Sequence, residues 1–219
     1  GGAVAIGPQL GPSVGGGGKP RTAAERGGSN PKMHPRNRYA AAEPDFAALA
    51  RQYPALAPHV SVDRKGRGHI DFKSYDATRE LTKALLHHDY GVVWSCPTGH
   101  LLPTVTNRAN YIHWIEDLLD LSPPPGLSAP LPGAGADVRG LDVGVGANCI
   151  YPLLGAAANG WSFVGSDITD EALEGARANL GQNPHLSHLI ELRDARAAVR
   201  ASDVSPYPQT PRPREPRPE

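Results

Sequence analysis

Residues 141–148 read Leu141-Asp-Val-Gly-Val-Gly-Ala-Asn148, and this stretch decides the fold. The run from Val138 to Val143 reads as a buried strand, Gly144 and Gly146 make a turn, and Asn148 to Ala158 has the apolar spacing of a helix. A strand, a glycine turn and a helix in that order put the turn at the carboxyl end of a parallel strand, where open α/β sheets bind ligands. Gly144 and Gly146 let a ligand approach the backbone with no Cβ in the way. A dinucleotide fingerprint would place its third glycine at position 149, but the residue there is Cys149, which weighs against NAD or FAD and favours a smaller nucleoside ligand.

Downstream the alternation continues. Trp161 to Ser166 reads as a second strand, Asp170 to Leu180 as a helix capped by Thr169 or Asp170, and Leu189 to Leu192 as a third strand. Strands and helices in alternation mean a parallel sheet with right-handed crossovers, hence a doubly wound α/β domain. Asp167 ends the second strand about 20 residues after Gly146, where a carboxylate accepts hydrogen bonds from the hydroxyls of a ribose. Together the glycine turn and the acidic strand end describe a cradle for an adenosine ribose.

Upstream, Phe46, Leu49, Ala50 and Tyr53 keep helical spacing from Asp45 until Pro54 ends it. His69 to Phe72 reads as a strand, Asp76 to His88 as a helix capped by Ser74 or Asp76, Gly91 to Trp94 as a short strand and Asn107 to Leu121 as a helix. With 25 Gly and 23 Pro in 219 residues, three segments are too rich in these residues to build a core. The expected organisation is a disordered segment over 1–30, an N-terminal module over 31–120, a Pro/Gly linker over 121–137, a partial nucleoside-binding domain over 138–200 and a disordered tail over 201–219.

Lys plus Arg equals Asp plus Glu at 22 each, so any nucleic-acid contact must come from a local patch. The one basic cluster next to an aromatic residue is Lys32, His34, Arg36 and Arg38, followed by Tyr39. Cys96 and Cys149 lack disulfide or zinc spacing and read as reduced thiols, so no metal site is expected. No run approaches the ~20 apolar residues that span a bilayer. The chain opens on Gly1 and holds a single methionine, Met33, which reads as a fragment.

Residues 33–39 (MHPRNRY), 103–119 (PTVTNRANYIHWIEDLL) and 141–161 (LDVGVGANCIYPLLGAAANGW) closely resemble the U6 small nuclear RNA adenine-N6 methyltransferase family, whose bacterial relatives modify an adenine of 23S ribosomal RNA. The resemblance runs from about Met33 to Arg193. It implies a class I, Rossmann-like methyltransferase fold, S-adenosyl-L-methionine as methyl donor, a structured U6-like RNA as acceptor and a location in the nucleus and also the cytoplasm. It further implies that Gly144, Gly146 and Asn148 line the cofactor's methionine, that Asp167 takes the ribose and that Arg108 meets the α-carboxylate. Lys32, Arg36, Arg38 and Tyr39 would help form the RNA groove by phosphate pairing and stacking. His113 and Trp114 read as packing residues on the helix that carries Arg108.

The sequence also departs from that family. Enzymes of this kind hold the target base with Asn-Pro-Pro-Phe or a close variant at the end of the fourth strand, and that motif is absent here. Neither Asn30-Pro31 nor Asn183-Pro184 continues with Pro and an aromatic residue. No catalytic residue is therefore assigned, the 219 residues alone are expected to be inactive, and the edge of the strand at Leu141 to Val143 is expected to lack its neighbour. Two other readings are a non-catalytic RNA- or cofactor-binding product and a nicotinamide-dependent oxidoreductase, which uses a similar strand and turn.

Overall fold

The computed structural model describes residues 3–6, 32–121 and 138–196. The expected linker, beyond Leu121, and the expected tail lie outside the described residues. In chain order the elements are β1 (Ala3–Ile6), α1 (Phe46–Gln52), β2 (Val60–Val62), β3 (Gly68–Ile70), α2 (Tyr75–Tyr90), α3 (Val105–Leu121), β4 (Arg139–Val143), α4 (Ile150–Asn159), β5 (Ser162–Asp167), α5 (Asp170–Gln182), α6 (Pro184–Ser187) and β6 (Ile190–Asp194).

β4, β5 and β6 form the expected parallel sheet, with Asp142 opposite Gly165 and Phe163 opposite Ile190. β4 alternates along its length. Asp142 is buried on the helix side, while Leu141 and Val143 are 36% and 45% exposed on the other. The core lies between the sheet and the helices that precede and follow β4. Leu153 and Leu154 of α4 and Leu86 of α2 are fully buried, each contributing about 1.5–3 kcal/mol of apolar burial.

The sheet order is β1-β4-β5-β6, and β1 runs parallel to β4 with Ala3 opposite Arg139 and Ile6 opposite Asp142. This corrects two expectations. Residues 1–30 are not uniformly without order, because Ala3–Ile6 is a strand, and the edge of β4 is paired rather than open. Composition averaged over thirty residues concealed a local run, AVAI, whose Val and Ile favour extended backbone once a partner edge offers ladder hydrogen bonds.

The N-terminal module departs from expectation in two places. The strand near His69 is β3, and its antiparallel partner β2, with Val60 opposite Ile70, was not foreseen. Gly91 to Trp94, expected as a strand, pairs with no strand. Its extended backbone is held by two fully buried side-chain amides of α5 and its C-cap. Asn183 accepts from Val93 N–H at 2.9 Å and donates to Val93 C=O at 2.6 Å. Asn179 does the same for Ser95 at 2.8 and 2.9 Å. Residues two apart on the extended chain thus meet residues four apart on a helix, which replaces a sheet ladder. The helices otherwise form where the spacing placed them, with side-chain caps from Asp45, Ser74 and Thr169.

Candidate cofactor site

The turn after β4 is seated on the end of β5. Gly144 N–H and Val145 N–H donate to the Ser166 carbonyl at 2.8 and 2.9 Å, and Gly146 N–H donates to Asp167 Oδ2 at 3.0 Å. Both glycines have positive φ, 78° at Gly144 and 64° at Gly146. A Cβ built at Gly144 would meet nothing within 4 Å, so the loop faces open space. Cys149, where the third glycine of a dinucleotide fingerprint would stand, also adopts a left-handed backbone, with φ 49°. It caps α4 rather than joining its first turn, and burial pushes its thiol well above the usual range, leaving it protonated.

Asp167 Oδ1 already accepts from Ile168 N–H, Thr169 N–H and the Thr169 hydroxyl, while Oδ2 accepts only from Gly146 N–H. The carboxylate is therefore pre-oriented, and the open lone pair on Oδ2 is the one available to a ribose hydroxyl. Asn148 serves the loop itself. Its Oδ1 accepts from Ile150 N–H at 3.2 Å, and its amide reaches the Leu101 carbonyl at 3.4 Å. Trp94 Nε1 donates to the Asn148 carbonyl at 2.9 Å, and Asn179 Nδ2 donates to the Ala147 carbonyl at 3.0 Å, so buried groups hold the loop from behind.

Arg108 projects from the first turns of α3. One guanidinium nitrogen donates to Tyr151 Oη at 3.0 Å, and the group lies 5.5 Å over the Tyr151 ring. Its Nε is buried with no hydrogen-bond partner among the described residues. A buried donor left unpaired costs about 1–3 kcal/mol, and a carboxylate brought alongside would remove that cost. Asp142 lies on the strand that leads into the loop. It is 4% exposed, its side chain has no hydrogen-bond partner among the described residues, and desolvation with the charge of Asp167 pushes its carboxyl up to about 7. Tyr151 and Asp142 were not singled out from the sequence. An acid between Leu141 and Val143 was the available signal for Asp142; nothing local marked Tyr151.

The basic cluster is not the free patch its sequence suggests. Arg36 pairs with Glu116 at 2.9 Å and Asp117 at 2.7 Å, and Arg38 pairs with Asp89 at 3.2 Å. His34 is buried, bonds Asp117 at 2.7 Å and stacks on His113. Burial alone would raise the Glu116 carboxyl, but hydrogen bonds from His113, Asn159 and Arg36 hold it below its ordinary value. Tyr39 is only 6% exposed and donates to Asp89, so it cannot stack on a base in this conformation. For Tyr39 this departs from the expected stacking role, while Arg36 and Arg38 keep 48% and 49% of their side-chain surface exposed beside these acids. The three residues clamp the N-terminal segment onto α2 and α3, against acids 50 to 81 positions away in sequence. Lys32 remains exposed. His113 and Trp114 contact His34 and complete the clamp instead of positioning Arg108. Among the described residues no cluster of His, Cys, Asp or Glu could hold a metal ion, and no helix is long and apolar enough to cross a membrane.

A family model described as RNA methyltransferase matches residues 28–201. The RNA N(6)-adenosine-methyltransferase mettl16 of Danio rerio is 44% identical over 163 residues, covering 74% of this chain and 32% of its own length. The N-terminal domain of human METTL16 in complex with SAH superposes with a TM-score of 0.64 at 42% identity, over 74% of this chain and 58% of that one. The hMettl16 catalytic domain in complex with MAT2A 3'UTR hairpin 1 gives 0.63 at 43% identity, over 74% of this chain and 50% of that one. The chain thus spans about a third of the zebrafish relative and half or somewhat more of the two solved domains. These likenesses make the fold that of a class I methyltransferase.

Proposed function

This chain belongs to the RNA methyltransferase family, and from that membership we propose that it carries the cofactor half of an S-adenosylmethionine-dependent RNA adenine-N6 methyltransferase. The observation that carries the reading is the unpartnered, buried Nε of Arg108 beside a glycine loop open at Gly144 and an oriented Asp167. Those groups suit an amino-acid nucleoside. Arg108 would hold its α-carboxylate in a charge-assisted pair, the Gly144–Asn148 loop would line its methionine, and Asp167 Oδ2 would accept from its ribose. When bound, S-adenosylmethionine supplies a methyl group on a sulfonium sulfur, open to direct in-line attack by an amine. The work of this half is orientation, which underlies much of the acceleration of such a transfer. Membership of an RNA methyltransferase family removes the nicotinamide oxidoreductase from consideration.

Asp167→Ala is expected to weaken S-adenosylmethionine binding by about 1–3 kcal/mol, the worth of hydrogen bonds to a charged acceptor. Calorimetry on protein whose circular dichroism is unchanged measures this, and an unaltered affinity would remove the ribose assignment.

A structured RNA, U6-like in the finer reading, is the proposed acceptor, supported by the family resemblance and by relatives that act on or bind RNA. Besides Lys32, Arg36 and Arg38, whose assignment rests on the family resemblance, phosphate contacts are proposed for the hairpin of β2 and β3. Arg64 and Lys65 at its tip are exposed with no ion-pair partner among the described residues, and Phe72 at its foot is 64% exposed. The hairpin leads into α2, whose Tyr75 hydroxyl donates to the carbonyls of Pro97 and His100, beside the Leu101 carbonyl that takes the Asn148 amide. An RNA backbone on the hairpin would therefore run toward the cofactor loop. Replacing Arg64 and Lys65 by Gln should lower the slope of log affinity against log salt by about one to two units and leave cofactor affinity alone. An unmoved slope in filter binding with a hairpin RNA would show that the tip is merely solvated.

A further inference from the structure

Arg36, Arg38, Arg67 and Arg196 each pair with a carboxylate, whereas Arg108 is held by a neutral phenol, that of Tyr151. Tyr151 is the second residue of α4, two positions beyond Cys149, which caps that helix at the end of the cofactor loop. Two residues of α3, one helical turn apart, grip it. Arg108 Nη1 donates to its hydroxyl at 3.0 Å with the guanidinium 5.5 Å over its ring, and the Tyr111 ring meets it with centroids 5.1 Å apart.

The nature of the partner matters because an acid in that place would neutralise Arg108 and compete with an anionic ligand. A phenol fixes the direction of the guanidinium and leaves its charge available. It also settles which side of the group is offered. A guanidinium has two bidentate edges, one between its terminal nitrogens and one formed by Nε with Nη2. With Nη1 committed to Tyr151, the edge that remains whole contains Nε, the buried donor with no hydrogen-bond partner among the described residues. The packing of α3 on α4 does not depend on this contact, since Asn159 at the far end of α4 donates to Glu116 of α3 at 2.8 Å.

We propose that Tyr151 is a positioning residue that sets the preference of the site for nucleosides bearing an amino acid: its hydroxyl turns the Nε edge of Arg108 to the α-carboxylate. The inference rests on the cofactor reading above, in which Arg108 meets that carboxylate. Without the hydroxyl, Arg108 keeps its charge and its place on α3 but must be ordered by the ligand itself, and ordering a long side chain on binding weakens affinity. A nucleoside that lacks the carboxylate makes no use of Arg108, so its affinity should not respond to Tyr151 at all.

The test is calorimetry on the native 219-residue chain, Tyr151→Phe and Tyr151→Leu. Each is titrated with S-adenosylhomocysteine and with 5′-methylthioadenosine, which shares the adenosine and the thioether but has no amino-acid carboxylate. Tyr151→Phe should bind S-adenosylhomocysteine about fivefold more weakly. Tyr151→Leu also loses the ring that faces the guanidinium, and should bind it about tenfold more weakly. Both variants should bind 5′-methylthioadenosine as the native chain does. The decision rests on Tyr151→Phe, which keeps the ring and its contact with Tyr111, so a failure of the leucine variant to fold does not affect it. Unchanged affinity of Tyr151→Phe for S-adenosylhomocysteine would overturn the inference while leaving the cofactor site standing. Equal losses with both nucleosides would overturn it too, reducing Tyr151 to a support of the loop. If the native chain binds neither nucleoside, the cofactor reading itself fails and this inference goes with it.

Discussion

A polypeptide of residues 1–219 on its own is expected to bind S-adenosylmethionine and yet transfer no measurable methyl to RNA. In a doubly wound sheet the position beside the glycine-turn strand belongs to the fourth strand, whose carboxyl end faces the same crevice. Here that position is filled by β1, which runs parallel to β4 and carries no Asn-Pro-Pro-aromatic motif at its end. A donor held without a positioned acceptor forfeits the proximity contribution, which is worth about 7–11 kcal/mol of barrier. A tritiated-methyl assay with a hairpin RNA decides the point when run beside a polypeptide extended by a fourth strand bearing that motif. The extended strand should displace β1 from the edge of β4 and restore transfer. Robust incorporation by residues 1–219 alone would mean that the acceptor pocket is built from residues to which no such role is given above.

The second large effect is on stability. Asn179→Ala should cost about 3–4 kcal/mol in denaturant unfolding, near the upper end for a single substitution. Its side chain is fully buried and serves the Ser95 N–H, the Ser95 carbonyl, and the carbonyls of Ala147 and Gly175. Removing it strands the Ser95 N–H and carbonyl and the Ala147 carbonyl, each carrying its own desolvation cost. Because Ala147 belongs to the cofactor loop, donor affinity should fall as well. Gln182→Ala is the matched control: that exposed side chain donates to the Ser95 hydroxyl at 3.0 Å, and its loss should cost under about 0.5 kcal/mol. A small effect at Asn179 would mean that water satisfies the 93–95 segment.

The clamp around His34, Arg36 and Glu116 has a bearing on function beyond the N-terminal segment itself. It joins that segment to α3, the helix that carries Arg108, and Asn159 at the end of α4 donates to the same Glu116 at 2.8 Å. The two elements that present Arg108 and Tyr151 are therefore tied at one buried carboxylate. Arg36 and Arg38 hold that framework while staying about half exposed, and Arg64 and Lys65 form a separate exposed basic tip.

What could be read along the chain was whatever short-range pattern dictates. Helical spacing, capping residues and the strand, glycine turn, strand order of residues 138–192 determined the α/β class, the position of the cofactor loop and the acid at its second strand end, because φ preferences and side-chain periodicity act over a few residues. Family resemblance added Arg108. Tertiary structure alone decided the rest, since each of these features depends on partners far off in sequence. Arg36, Arg38 and Tyr39 became clamps because carboxylates 50 to 80 residues away reach them. The segment after Gly91 is no strand because Asn179 and Asn183 supply its hydrogen bonds. AVAI orders because β4 offers an edge. Asp142 becomes a titrating group near neutrality only because folding strips its carboxyl of water and sets it near Asp167, a cost that no local pattern contains.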